Sequence, residues 1–448
     1  MTQPLRETAL QISMEAMDLC SVGHAFASKV KMSGSHKLKL EGSGEIDLSN
    51  VKRLLIVAIG KGAASMLDGL LRERSIAEGR EIVGALVAPK RPAVLPEGIA
   101  FYAGGHPSPN EQSFAAARAV LELLTSAAND LRTAETFCFF LISGGASAMM
   151  ELPLDPTISL DDTVLFHRAL VHSGASITEI NCVRKHFSAV KGGRLTVAAG
   201  ALRSLTMVVS DVPSGQLDAL ASGPTMPDST TVEQCRSILE KYSLMSQFPE
   251  SVRGYFEVEL KESPKAEEIE AQVYSLLSSD DLAEAACEGA ERRGFNVVVD
   301  NTCDDWDYRA AADYLYERLE ALRLQHRRVC LISAGEVTVR LPAAGEVGHK
   351  KDCVGGRNLQ FALYSARRLQ PSDGVAVLSV GSDGVDGSSP AAGAVVDGST
   401  VRGKEDEAKE ALESFDSYPF LNAAGAAIIT GPSGNNLRDL RMMLADSE

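Results

Sequence analysis

The chain has 448 residues, of which 45% are hydrophobic, and carries a formal net charge of −16 at pH 7. This length exceeds one typical hydrophobic core, and the apolar content suffices for two, so we expect two domains. The negative charge and the lack of a basic stripe with interleaved aromatics argue against nucleic-acid binding. No apolar run approaches the ~18 residues of a membrane helix, and the first 20 residues predict an amphipathic helix, not a signal peptide. We therefore expect a cytoplasmic protein.

Eight cysteines are scattered along the chain, without a Cys-x-x-Cys pair and without histidines at metal-ligand spacing. Isolated cysteines in a long intracellular chain are usually small buried hydrophobic residues. We therefore expect neither a structural zinc site nor a disulfide framework.

Short apolar runs alternate with helical patterns along most of the chain. The runs that predict strands are 53–60, 84–89, 136–145, 204–211, 273–279, 295–301, 328–335, 375–384 and 426–430. Continuous apolar runs are typical of strands buried on both faces, so they predict an α/β fold with mainly parallel strands. The pattern weakens between about 241 and 272, which places the expected domain boundary near residue 240.

The loops that follow these runs are the candidate sites, because ligands of α/β sheets bind beyond the carboxyl ends of the strands. In the first loop, Gly60 and Gly62 let backbone N–H groups approach an anion, and Lys61 between them adds a positive charge. The loop is not a Walker A motif, since Leu55 replaces its first glycine, nor a dinucleotide fingerprint, since Ser65 replaces its third. A tight turn with an incidental lysine is the alternative.

The second loop contains Ser143, Gly144, Gly145 and Ser147, which suit a cradle for a phosphate or carboxylate. Around Ser147 it resembles a nucleophile elbow, but Met149 stands where the final glycine of that motif is required. A hydrolase is therefore disfavoured.

A basic segment carries Arg184, Lys185, Lys191 and Arg194. On a helix, residues seven apart such as Arg184 and Lys191 share a face. In an acidic protein this segment is a candidate site for an anionic substrate, and a solvated basic face is the alternative.

Carboxylates follow other runs. Asp211 ends the run at 204–210 and could hold Mg²⁺ or accept a proton from an alcohol, or it could cap a helix. Asp383 and Asp386 lie in a glycine-rich loop that could take a hard cation, although Asp-Gly pairs also mark ordinary turns. Glycine cradles, isolated cations and strand-end carboxylates without an obvious nucleophile together fit phosphoryl transfer.

The order of these motifs, from about residue 5 to about residue 444, resembles the glycerate 2-kinase family, whose C-terminal half is called the MOFRL domain. The segments that carry the resemblance are VAIGKGAASM, GGHPSPNEQS, LISGGASAMMELP, INCVRKHFSAVKGGRL, VVSDVPSGQLDALASGPTMPDSTT, LISAGEVTV, GGRNLQFAL and SDGVDGSSPAAGAVVDG. It implies an N-terminal Rossmann-like domain at 1–240, with a mainly parallel sheet and flanking helices. A C-terminal α/β domain at 241–448 would contain the MOFRL region at about 328–444.

The resemblance implies transfer of the γ-phosphoryl group of ATP to the 2-hydroxyl of D-glycerate, giving 2-phosphoglycerate and ADP, with Mg²⁺. It places the conserved lysine of the family on Lys61 and its conserved arginine on Arg357. Both are expected to act, from opposite domains, on the reacting phosphates and the substrate carboxylate. Asp211 is the candidate for metal binding or for orienting the hydroxyl, and Asp383 and Asp386 are the candidate metal ligands. The expected substrate and phosphate ligands are Gly60, Gly62, Ser143, Gly144, Gly145, Ser147, Arg184, Lys185, Lys191, Arg194, Glu336 and Asn358.

The sequence departs from the family pattern at Asn110, Ala146, Ala334 and Pro390, which leaves the choice of hydroxy acid open. Two other functions remain. An NAD(P)H-dependent hydroxypyruvate reductase predicts a nicotinamide site, and a non-catalytic hydroxy-acid-binding protein predicts binding without turnover. The expected partners are small molecules, with neither nucleic acid nor membrane, and homo-oligomerisation is left open.

Overall fold

A computed structural model of the protein describes residues 4–34, 36–212, 217–258, 260–342 and 352–446. The helices are α1 (Leu5–Leu19), α2 (Val22–Lys29), α3 (Ala63–Arg72), α4 (Arg74–Ala77), α5 (Glu111–Ala128), α6 (Ala146–Met149), α7 (Leu160–His172), α8 (Ile177–Phe187), α9 (Arg194–Ala199), α10 (Val232–Lys241), α11 (Glu250–Glu257), α12 (Ser279–Glu291), α13 (Tyr308–Arg323), α14 (Arg357–Ala366), α15 (Glu405–Glu413) and α16 (Ser417–Ala423). The strands are β1 (Val30–Ser33), β2 (Lys37–Leu40), β3 (Gly44–Asp47), β4 (Arg53–Ile59), β5 (Glu81–Ala88), β6 (Ile99–Ala103), β7 (Thr136–Ser143), β8 (Arg203–Val209), β9 (Val273–Leu277), β10 (Asn296–Val299), β11 (Arg328–Gly335), β12 (Val375–Gly381), β13 (Gly393–Asp397), β14 (Ala427–Ile428) and β15 (Asp439–Asp446). Within these ranges, no helix combines the length and the apolar character that crossing a bilayer requires.

One compact unit is Ala25–Leu276. Its main sheet, as far as the structure describes it, has six strands in the order β6-β5-β4-β7-β8-β9. The pairs from β6 through β8 are parallel, and Ile56 of β4 lies beside both Gly84 and Phe139. Every residue of β4 and of β7 is buried, which is why both segments are continuous apolar runs. The predicted α/β class and the mainly parallel first sheet are confirmed.

The other unit contains the chain up to His24 and from Leu277 onward. The order of its described strands is β10-β11-β15-β12-β13-β14. β10 pairs with β11 in parallel, whereas the remaining neighbours are antiparallel, with Met443 of β15 beside both Leu331 and Val377. The mainly parallel arrangement therefore does not extend to this unit. Burial on both faces makes an apolar run, but such a run carries no information on strand direction.

The two units divide the chain differently from the boundary expected near residue 240. Helix α1, from the start of the chain, packs against α12 and β12 and so belongs with the later residues. Residues 241–276 belong with the earlier ones, although few of them are in strands.

An aromatic cluster explains this assignment. The Phe166 ring of α7 stacks on Phe187 at a centroid distance of 4.0 Å and lies 5.1 Å from Phe248 and 6.0 Å from Phe256. The last two residues come from the weakly patterned stretch, whose helices supply buried side chains to this cluster. The stretch without a clear strand pattern, at about 241–272, is therefore not a linker, because its helices pack into the core of the first unit.

The cluster generates a stability prediction. Phe166 is 0% exposed, whereas its neighbour Leu165 is 45% exposed. We expect Phe166→Ala to lower the free energy of unfolding by about 3–5 kcal/mol, because it leaves a cavity in a packed core. The matched control Leu165→Ala should change it by less than about 0.5 kcal/mol. Urea unfolding followed by circular dichroism measures both, and equal effects would contradict the role of the cluster.

Candidate active site

The loops after β4 and β7 are bonded to each other at the carboxyl edge of the parallel sheet. The Lys61 N–H donates to the Gly144 carbonyl at 2.9 Å, and the Gly62 N–H donates to Ser143 Oγ at 2.9 Å. A side chain at Gly60 would overlap Ser143, so the two loops can approach this closely because position 60 lacks one. The structure thus brings together the first two predicted loops. The side chain of Lys61 remains exposed.

Asp211 joins the same loops from β8. A Cβ atom on Gly144 would overlap Oδ2 of Asp211, so the carboxylate lies directly against the glycine backbone. Three parallel strands therefore place a lysine, a hydroxyl and a carboxylate at one edge of the sheet, as the carboxyl-end rule predicts.

The loop after β6 also reaches this site, and it carries His106, which was not among the predicted site residues. A Cβ on Gly145 would lie 3.1 Å from His106 Cδ2 and 3.3 Å from Lys61 Cγ. His106 is exposed to solvent on one side, but partial desolvation and the nearby Lys61 ammonium lower the pKa of His106, so its imidazole is mostly neutral at pH 7. His106 was missed because the strand before it, β6, is short and partly exposed, and so does not form a continuous apolar run in the sequence.

A cavity of about 200 Å³ opens beside these loops and is lined by His106, Pro107, Gly145, Ser147, Ala148, His167, Val171 and Arg184. The hydroxyl of Ser147 lies 3.0 Å from that of Ser222, which in turn donates to Asn181 Oδ1 at 2.9 Å. The cavity therefore has a polar wall whose serine is held by its neighbours.

Three of the four predicted cations of the basic segment are bonded within the protein and lie outside this lining. The ammonium of Lys185 is 3.2 Å from the carboxylates of both Asp218 and Asp228. Arg194 donates to the carbonyl of Lys185 at 2.7 Å and to that of Lys191 at 3.0 Å. These bonds fix the loop that connects α8 to α9.

Lys191 lies in a buried ionic cluster with Glu151 and His167. Its ammonium is 2.5 Å from Glu151 Oε2, and His167 Nε2 is 2.8 Å from the same oxygen. Burial lowers the pKa of His167 to about 4, so the neutral ring donates its Nε2 hydrogen to the carboxylate. Burial opposes ionisation of Glu151, but Lys191 and His167 together hold the pKa of Glu151 below its ordinary value. Glu151 and His167 had no spacing signal in the sequence.

Arg184 differs from the other three cations. It lines the cavity, and its Nε is buried without a hydrogen-bond partner among the described residues. Burial lowers the pKa of Arg184, yet a guanidinium stays protonated at neutral pH. Glu151 attracts Arg184, but the Glu151 carboxylate is bonded to Lys191 and His167. A buried guanidinium that shares its counter-charge in this way favours an anionic ligand.

In the other unit, Arg357 is held by two carboxylates. Its Nε and Nη2 donate to Asp439 at 2.5 and 2.9 Å, and Nη2 lies 2.8 Å from Glu336. Burial opposes the charged form, but these ion pairs outweigh it and raise the pKa of Arg357. Asp439 was not predicted, because the strand β15 that begins with it was not recognised.

The predicted metal ligands of this unit have other partners. Asp386 accepts hydrogen bonds from the backbone N–H groups of Asn358 at 3.1 Å and Leu359 at 2.8 Å, and so caps α14. Burial raises the pKa of Asp386 to about 6. Asp383 accepts from the Val385 N–H at 3.1 Å within its own turn. In the described part of the chain no three His, Cys, Asp or Glu residues form a group that could hold a metal ion. Asp386 fits a helix cap better than a metal ligand.

Comparison with known proteins identifies the family to which the chain belongs. Residues 8–257 match the model of a domain of unknown function, DUF4147, and residues 329–439 match the MOFRL family, close to the expected region. The chain is 35% identical to the D-glycerate 2-kinase of Thermotoga maritima over 87% of its own length and 90% of that protein. It is 32% identical to an Agrobacterium vitis protein, provisionally named a hydroxypyruvate reductase, over 88% of the chain and 87% of that protein.

A solved structure agrees with these matches. The crystal structure of glycerate kinase from Thermotoga maritima superposes with a TM-score of 0.82 at 31% identity, covering 98% of this chain and 99% of that one. The two matched domains lie in the order that the motifs indicate. This chain belongs to the glycerate 2-kinase family.

Proposed function

We propose that this protein transfers the γ-phosphoryl group of ATP to the 2-hydroxyl of D-glycerate, giving 2-phosphoglycerate and ADP. Family membership supports the reaction class. The observation that carries it is the grouping of Lys61, Asp211 and the glycine loops at one sheet edge, next to a cavity that contains Arg184. Positioned charges of this kind suit phosphoryl transfer, in which catalysis is mostly positioning and charge neutralisation.

Two cations have the leading roles in this proposal. Lys61 lies just before α3, where its charge and the helix N-terminus both favour phosphate oxygens. Arg357 is positioned by Asp439 and Glu336, and its remaining donors are assigned to phosphate. Lys61 would stabilise negative charge on the transferring group, and Arg357 stays a predicted ligand of the phosphates.

We assign Asp211 to a divalent metal or to the substrate hydroxyl. Its carboxylate lies beside the glycine loop that would carry the phosphates. A carboxylate oxygen is a ligand that Mg²⁺ accepts readily, usually together with phosphate and water. When bound, Mg²⁺ would neutralise charge on the phosphates. Asp383 remains a predicted metal ligand, whereas the partners of Asp386 favour a role as helix cap. The cytoplasmic location and the small-molecule partners also remain predictions.

Hydroxypyruvate reduction is the second candidate, favoured by the provisional name of one relative. It requires a nicotinamide site. The Gly60 loop lacks the third glycine of the dinucleotide fingerprint, since Ser65 stands there, and this favours the kinase.

One assay separates these reactions. The full chain is incubated with D-glycerate, ATP and Mg²⁺, or with hydroxypyruvate and NADPH. We expect ADP and 2-phosphoglycerate to appear only when glycerate is present. Release of no ADP above the glycerate-free control would reject the kinase, and 3-phosphoglycerate as product would reject transfer to the 2-hydroxyl. Oxidation of NADPH would support the reductase.

The role of Lys61 gives a sharper prediction. Lys61→Ala should lower kcat/KM for D-glycerate by at least about 10²-fold, because a charge that stabilises the transition state is removed. The matched control is Lys90→Ala, an exposed lysine after β5, which should stay within about twofold of wild type. Near-wild-type kcat/KM in Lys61→Ala would make this lysine an incidental residue of a tight turn.

A further inference from the structure

The cavity next to Lys61 is small, and its wall combines polar with apolar groups. Its volume of about 200 Å³ is below the roughly 300–1,000 Å³ of pockets that enclose drug-sized ligands. It therefore suits a molecule of a few heavy atoms and excludes a whole nucleotide. Arg184, His106 and Ser147 supply the polar groups of its wall.

Arg184 is fixed for recognition of a carboxylate. Its neighbour Lys185 anchors α8 through ion pairs with Asp218 and Asp228, so the helix that carries the guanidinium is held in place. Glu151 attracts Arg184 electrostatically, but its Oε2 already binds Lys191 and His167. An incoming carboxylate would thus supply a dedicated counter-charge, with the planar geometry that a guanidinium binds best.

His106 faces the same cavity as a neutral base. The charged and titratable side chains around it are Lys61 from the β4 loop, Arg184 from α8 and His167 from α7. The Lys61 ammonium opposes a positive charge on His106, and His167 is itself neutral. A neutral imidazole that lines the cavity can accept a proton from a hydroxyl group bound there.

We propose that this cavity is the subsite for the carboxylate and the reacting hydroxyl of a small 2-hydroxy acid. Arg184 binds the carboxylate, and His106 accepts the hydroxyl proton. The first role holds for any small carboxylate, whereas the second rests on the proposed function.

The transfer step balances with these groups. The substrate oxygen forms a bond to the γ-phosphorus while the bond from that phosphorus to the β–γ bridging oxygen breaks. The electron pair of the broken bond leaves with ADP, and the hydroxyl proton moves to the unprotonated nitrogen of His106. The imidazolium later releases this proton to water. Asp211 is then left to the metal.

Binding of D-glycerate without nucleotide tests Arg184. By calorimetry we expect Arg184→Gln to weaken binding at least about thirtyfold, with Arg184→Lys in between, because one partner of a buried charge pair is lost. Arg168→Gln, an exposed arginine of α7, should bind as wild type does. The neutral amide of D-glycerate should bind wild type weakly and lose nothing further in Arg184→Gln. Unchanged glycerate binding in Arg184→Gln, or an equal loss for the amide, would overturn the subsite.

The pH profile tests His106. In wild type, kcat/KM should fall as the pH drops below the pKa of His106, because the protonated ring cannot accept a proton. His106→Ala should lower kcat by about 10²–10⁴-fold with little change in KM, abolish this acidic limb, and regain activity with added imidazole. His172→Ala, an exposed histidine of α7, should match wild type. Wild-type kcat in His106→Ala, or persistence of the acidic limb, would overturn the proton-acceptor role.

The two proposals fail in different ways. Arg184-dependent binding without any wild-type turnover would remove the kinase and keep the carboxylate subsite. Normal turnover with unchanged binding by Arg184→Gln would keep the kinase and remove the subsite.

Discussion

The hydrogen bonds that join the loops after β4 and β7 are the constraint on which the candidate site depends. They connect two strands that are already in parallel register, so the position of Lys61 is set by the sheet and not by a mobile loop. Gly144 transmits the same constraint to Asp211, because only a bare backbone allows that carboxylate so close. A site held by strand ends in this way needs little reorganisation when charge develops during a reaction.

Most of the basic residues between Arg184 and Arg194 bond to other groups of the protein. Lys185, Lys191 and Arg194 each bond to carboxylates or carbonyls around the loop after α8. The Nε of the neighbouring Arg184 has no hydrogen-bond partner among the described residues. Four cations close in sequence therefore do not make one anion site. Three of them bond to groups of the protein itself, and Arg184 lines the cavity.

Much of the first unit could be predicted, because parallel strands buried on both faces are long apolar runs followed by the loops that bind ligands. Lys61, Ser143 and Asp211 were found in this way. Other residues around the cavity were not, since His106 follows a partly exposed strand and Glu151 meets Lys191 only through tertiary packing. One departure from the family pattern has a local explanation: the Asn110 side chain caps α5 and also donates to the Ala103 carbonyl. Strand direction and the position of β15 depend on long-range pairing, which no local pattern encodes.

The central position of β15 has a consequence for the order of folding. Ala25–Leu276 is one continuous segment, so it can fold while the later residues are still being synthesised. The other unit combines α1 with a sheet whose middle strand, Asp439–Asp446, emerges after both of its neighbours. Until that strand arrives, β11 and β12 have unsatisfied edges. During synthesis, the unit Ala25–Leu276 can therefore fold early, whereas the sheet of the other unit lacks its middle strand until β15 has been made. Until then, the second unit is the more prone to aggregation.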